Sequence, residues 1–255
     1  MIGRVRKYLF YQKASETIQL CPDLYLNVQR LRHRGRPAYH RIVSPGHKMM
    51  IEGFPRSGTS FAVRAMVEAN PDLLDRVATH IHTSAHLRAA VQFSVPGMVV
   101  IREPSSAVTS MIALGNQTGR MRLDGMCDAD KAALIGQATR RYSAFHRALF
   151  GLEDHLMIVR FERVTTDFGQ VIHAFNLRFG TTFKRFDHTE EAASQILRSG
   201  KIHIGPNADR NLEKRSLARL YWAPTNAADR RAAEEAYRQC VEVADTMDGT
   251  QCSLQ

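Results

Sequence analysis

The sequence predicts an α/β protein, a three-layer α/β/α arrangement around a central, mainly parallel sheet. Three observations carry that prediction. The short apolar runs Met49–Ile51, Met98–Ile101 and Leu156–Val159 lack polar alternation, as strands covered on both faces require. Stretches of helical periodicity separate them, which is the pattern of a parallel sheet with crossover helices. Residues 49–66 run from a strand end through a turn with two glycines and a proline into a helix.

Composition limits the alternatives. The 255 residues fit one α/β domain, or one domain with a terminal appendage. No run approaches the ~18 apolar residues of a membrane span. The patch Tyr8-Leu9-Phe10-Tyr11 is too short for a secretory signal. Cys21, Cys127, Cys240 and Cys252 form no CxxC pair and no zinc spacing, so a cytoplasmic protein with reduced thiols is expected. The net charge of +10 is uneven: residues 1–48 carry ten Lys/Arg against Glu16 and Asp23, a net +8, leaving +2 for residues 49–255. Arg30–Pro37 is polar and broken, so residues 1–48 are expected to be a basic appendage and 49–255 the domain. Such a segment suits weak peripheral contact with an anionic membrane face or polysaccharide, tuning location or acceptor choice. No aromatic residues interleave with its arginines, which disfavours nucleic acid.

The elements follow in order. Met49–Ile51 ends a buried strand, and Phe61, Ala62, Ala65, Met66 and Ala69 mark the next helix, stopped by Asn70-Pro71. Ala78–His82 is short enough for a second strand. Ser84 is a candidate cap for a helix with Leu87, Ala90, Val91 and Phe93. After the strand 98–101, Ser105 or Ser106 is expected to start a helix through Val108, Met111 and Ile112. The glycine-bearing loop 115–127 is long enough for a substrate-side role. Asp128 opens a helix closed by Gly151, and the strand 156–159 precedes a helix capped by Thr165 or Thr166 and stopped by Gly180. A short helix over 189–199, a polar loop over 200–210 and a charged terminal helix over 226–247 complete the chain.

Chemistry concentrates in two stretches. Gly53-x4-Gly58 has the spacing of a phosphate loop, whose backbone N–H groups and helix N-terminus face a bound phosphate. Thr59 stands where an ATP or GTP loop has lysine, and the cation Arg56 lies within the loop. The second stretch is Val99–Ser110: Arg102 leaves a strand at the sheet edge that carries the phosphate loop, and Ser110 follows within two helical turns. Two anion sites suit a nucleotide with phosphates at both its 5′ and 3′ positions.

Pro55-Arg56-Ser57-Gly58-Thr59-Ser60, together with Arg102 and Ser110, resembles the donor-binding elements of sulfotransferases that use 3′-phosphoadenosine 5′-phosphosulfate (PAPS). Phe161-Glu162-Arg163-Val164 is similar to a further strand-end element of that family, and the resemblance spans roughly residues 49–215. It implies a fold built on a strand–phosphate-loop–helix PAPS core. It also implies transfer of a sulfuryl group from PAPS to a hydroxyl or amine of a carbohydrate, lipid or small molecule, with adenosine 3′,5′-bisphosphate (PAP) as product and no metal. Residues 55–60 would hold the 5′-phosphosulfate and Arg102 with Ser110 the 3′-phosphate. Arg56 would stabilise the leaving phosphate.

Candidates for the base are His80 and His82. Ala78-Thr79-His80 stands where many family members have Lys-Thr-His, which favours His80. Position at the strand's end favours His82, the preferred choice. Lys201, Arg210 and Arg215 stand where the family closes basic residues over the nucleotide, without its Arg-Lys-Gly string. The rival readings are a phosphate-loop kinase or NTPase, disfavoured by Thr59 and by a strand ending in Arg102 instead of a Mg²⁺-binding Asp, and a non-catalytic nucleotide-binding scaffold whose basic arm meets an acidic partner.

Overall fold

The computed structural model describes residues 21–199 and 208–252, and its centre is a four-stranded parallel sheet of order β2-β1-β3-β4. The strands are β1 (Met49–Gly53), β2 (Val77–Thr79), β3 (Gly97–Ile101) and β4 (Leu156–Arg160). Ile51 lies opposite Thr79, Gly53 opposite Val100 and Ile101 opposite Arg160, so the carboxyl ends gather along one edge.

The unalternated apolar strands are explained by two cores. Met50, Ala78, Val99, Ile101, Leu156 and Ile158 belong to one buried cluster, and Met49, Ile51, Val77, Met98, Val100, Met157 and Val159 to the other. Successive residues of each strand thus face opposite layers. The first layer is built by α1 (Pro22–His33), α3 (Ser84–Gln92), α4 (Pro104–Gln117), α5 (Asp128–Arg147), α9 (Ala208–Tyr221) and α10 (Ala227–Cys252). The second holds α2 (Thr59–Ala69), α6 (Phe161–Thr166), α7 (Phe168–Phe179) and α8 (Glu190–Ser199). The protein is therefore an α/β fold with a parallel sheet covered on both faces.

β1 pairs with β2 on one side and β3 on the other. The chain leaves β1 through α2 on one face and returns through α3 on the opposite face. That reversal opens a crevice beyond the carboxyl ends of β1 and β3, where α/β folds hold their ligands.

Several local expectations are revised. β2 stops at Thr79, and both His80 and His82 follow it with positive φ, 60° and 56°, so they do not share a strand face. Glu103, not a serine, caps α4 by accepting from the N–H groups of Ser105 and Ser106, with Pro104 in the first turn. Asp167 caps α7 through the N–H of Gln170. The helix α9 fills a stretch that carries no clear periodicity in the sequence.

The basic N-terminal segment also changes character. In its described part Tyr25, Leu26, Ile42 and Val43 are buried members of the first core, and α1 packs against α3. This part is built into the fold and does not stand off it. Leu26→Ala is accordingly expected to cost about 2–5 kcal/mol, as buried leucine truncations do. Urea denaturation checks this; an unchanged midpoint would show that α1 contributes nothing to the core.

Candidate functional site

The loop between β1 and α2 is shaped by two glycines. A Cβ on Gly53 would run into the Val100 carbonyl oxygen of the neighbouring strand, so only glycine lets β1 and β3 approach here. Gly58 caps α2 in a left-handed conformation, φ 93°, and a Cβ there would lie 2.8 Å from the Phe161 ring. Arg56 also takes a positive φ, 74°, a strained setting that the surrounding contacts hold in place. The Ser57 Oγ and Thr59 Oγ1 atoms are buried and have no hydrogen-bond partner. Buried hydroxyls are normally satisfied, so these two leave hydrogen-bonding capacity unused within the loop.

The second motif meets the first. Arg102, leaving β3, donates from Nη1 to the Arg56 carbonyl at 2.8 Å and lays its guanidinium over the Phe161 ring, 4.1 Å from the centroid. Tyr142 Oη donates to the Arg102 carbonyl at 2.6 Å and fixes the strand exit. Arg56 Nε donates to Ser110 Oγ at 3.1 Å, so Ser110 touches the loop cation and not Arg102. Phe161, which follows β4, stacks on Arg102 and flanks Gly58. Its role appears only when three strand ends meet.

From α9 come Arg210, whose Nη1 is 3.4 Å from the Gln117 side-chain oxygen, and Lys214. Burial, Arg210 and Arg102 lower the Arg56 pKa to about 10. Burial followed by Arg102, Arg56 and Arg210 lowers that of Lys214. Arg102 and Arg210 thus act on both Arg56 and Lys214, whereas Arg102 is itself lowered by burial and raised by Glu162 and Glu103, and Arg210 is lowered by burial alone. Lys214 could not be singled out from the sequence, because α9 had no visible phase. Arg215, one residue on, is exposed. Lys201 lies outside the described residues. The loop after α4 borders a cavity of about 360 Å³ lined by Leu123, Asp124, Gly125, Lys131 and Glu213.

The two histidines differ sharply. His80 has Nε2 2.9 Å from Ser60 Oγ and Nδ1 2.9 Å from Thr79 Oγ1. Burial, followed by the His82 charge, lowers its pKa to about 4, so it stays neutral near pH 7. His82 Nδ1 lies 2.6 Å from the Gly53 carbonyl oxygen and 3.2 Å from Glu52 Oε2. Burial works against the charged form of His82, but the charge and hydrogen bond of Glu52 together with the Gly53 carbonyl outweigh it and the pKa is raised.

Glu52 went unnoticed in the sequence. It is fully buried one residue before the end of β1 and accepts from the N–H groups of Gly53, Ile81 and His82 and from His86 Nδ1 at 2.9 Å. Burial alone would raise its pKa, yet the two histidines hold it well below the ordinary carboxylate value. Val43 N–H donates to His86 Nε2 at 2.8 Å, which leaves the His86 hydrogen on Nδ1, aimed at Glu52.

No protein-family model matches this chain, and no curated protein matches it in sequence. Among solved structures it is similar to mouse sulfotransferase SULT7A1 complexed with PAP. The two share 12% identity over 84% of this chain and 91% of that one, with a TM-score of 0.47. At that score the likeness is one of general outline, and no function is taken from it. Among the described residues no helix is long and apolar enough to cross a membrane.

Proposed function

We propose that this chain is a sulfotransferase that uses PAPS and releases PAP. One observation carries the reading: cations from two strand ends and from α9 converge on a phosphate loop whose two buried hydroxyls have no partner. The glycine cradle and the orphaned hydroxyls fit a 5′-phosphate group, and the second strand-end cation fits a 3′-phosphate. Bound there, PAPS would supply the transferable sulfuryl group.

The residues divide the work. Pro55–Ser60 hold the 5′ end through the backbone N–H groups of Arg56 and Gly58–Ser60 and the hydroxyls of Ser57, Thr59 and Ser60, with Pro55 shaping the turn. Arg102 and Ser110 hold the 3′-phosphate, and Arg210 and Lys214 cover the nucleotide. Lys201 is proposed to join them. Arg56 offers positive charge where the leaving phosphate develops negative charge. His82, whose pKa is raised against the effect of burial by Glu52 and the Gly53 carbonyl, is the base for the acceptor's proton. His80 is the weaker candidate, because both its ring nitrogens already lie against hydroxyls. Residues 49–255 carry the chemistry in this reading. The charge of residues 1–48 remains available to an anionic membrane face or polysaccharide.

Because protein cations supply the positive charge, nucleotide binding is expected not to need a divalent ion. Isothermal titration of the full chain with PAP should give the same affinity in Mg²⁺ and in EDTA, and tighter binding than ATP. Tight binding of ATP only with Mg²⁺ would instead make the chain a kinase or NTPase.

A further inference from the structure

Three elements bring one ionisable group each to a single point. β1 carries Glu52 one residue before its end, the loop after β2 carries His82, and α3 carries His86. The Glu52 and His86 side chains have no exposed surface, whereas the His82 side chain is 21% exposed and is the one member of the trio that reaches outward.

We infer that Glu52 is the positioning residue for the acceptor-activating base: with the Gly53 carbonyl it keeps the hydrogen of His82 on Nδ1, so that Nε2 is the atom that takes the acceptor's proton. The role of base rests on the sulfotransferase reading; the tautomer does not.

The hydrogen-bond chemistry leaves little freedom. The Gly53 carbonyl can only accept, and at 2.6 Å it requires a hydrogen on His82 Nδ1. Glu52 Oε2, 3.2 Å from the same nitrogen, adds a negative charge on that side of the ring. The carboxylate is itself fixed by the N–H groups of Ile81 and His82, at 2.7 and 3.3 Å from Oε1, and by His86. His86 is pinned in turn by the Val43 N–H, so its orientation cannot reverse without breaking that bond. When an acceptor hydroxyl gives its proton to Nε2, the bonding pair stays on the acceptor oxygen. The positive charge then spreads over a ring already facing Glu52.

Other groups facing His82 act against or beside this pairing. Arg141 of α5 opposes protonation, and His80 lies with its ring centroid 5.5 Å away. His86 contacts the same carboxylate from α3. Among these groups Glu52 alone is an anion, so its charge decides which way His82 shifts.

The test is ¹⁵N NMR of the full chain with labelled histidines, His82 being assigned by the signal lost in His82→Asn. Neutral His82 is expected to carry its hydrogen on Nδ1 and to titrate above the ordinary value of about 6.5. Glu52→Gln, which keeps the side chain's shape, should lower the midpoint. His86→Gln, which leaves the carboxylate beside His82, should keep it above 6.5. A hydrogen on Nε2, or a midpoint below 6.5 in the unaltered protein, overturns the inference even if Glu52→Gln does not fold. An equal fall in both variants also overturns it, since that reports general loosening of the loop. PAP titration of the same samples separates the failures. An intact His82 signature without PAP binding removes the base role together with the sulfotransferase reading, and leaves the Glu52–His82 pairing in place.

Discussion

Glu52→Leu is expected to destabilise the fold by about 3–5 kcal/mol, the usual cost of breaking a buried charged network by removing one partner. The substitution leaves the N–H groups of Ile81 and His82 and the His86 Nδ1–H without their acceptor, all in or beside the core. Leucine fills the volume, so lost packing is not the cause. Denaturant titration would show it directly, and a midpoint close to that of the unaltered protein would contradict the network described here. The effect has a pH signature whose sign follows from the shifts. The Glu52 pKa is depressed in the fold, so its contribution is present above the unfolded value of about 4.5 and fades as pH falls through the folded one. His80 and His146, both pushed down to about 4 chiefly by burial, contribute above about 6.5 and lose that contribution as pH falls toward 4. His82 runs the other way: its pKa is raised, so its stabilisation is present below 6.5 and is lost as pH rises through its folded value.

The second large effect belongs to Arg102. Arg102→Ala should weaken PAP binding by about 1.5–3 kcal/mol, roughly 10- to 150-fold, which is the worth of one charge-assisted contact. AMP, which has no 3′-phosphate, should lose much less. Some loss for AMP is expected, because Arg102 also donates to the Arg56 carbonyl and steadies the loop. Arg102→Lys should restore little, since an ammonium cannot stack on Phe161 as a planar guanidinium does. Calorimetric titrations with both nucleotides decide the matter. Equal losses for PAP and AMP would mean that Arg102 supports the loop and does not read the 3′-phosphate.

How much of this could be read from the sequence depends on range. The strand–glycine turn–helix at residues 49–69 and the strand cores were legible because each is a local pattern: apolar runs without alternation, and glycines at fixed spacing. Arg102 was legible because a residue leaving a parallel strand must emerge at the carboxyl edge. Glu52 was not, since a glutamate closing an apolar run carries no sign that two histidines from later elements will cover it. Lys214 was hidden by a helix whose phase is set by packing on α4. The left-handed turn at His80 and His82 has no glycine to announce it. Tyr25, Leu26, Ile42 and Val43 were masked by the run of arginines between them, although they flank it in sequence and meet in the core.

The central claim is that the crevice between β1 and β3 reads both a 5′- and a 3′-phosphate. Its most direct test is thermal denaturation of the full chain with PAP, AMP or no nucleotide, at equal concentration and in EDTA. A ligand that binds the folded state alone raises the melting temperature according to its affinity. PAP should therefore give a clearly larger shift than AMP, and the difference should shrink as salt is raised. Equal shifts for the two nucleotides, or none with either, would contradict the account.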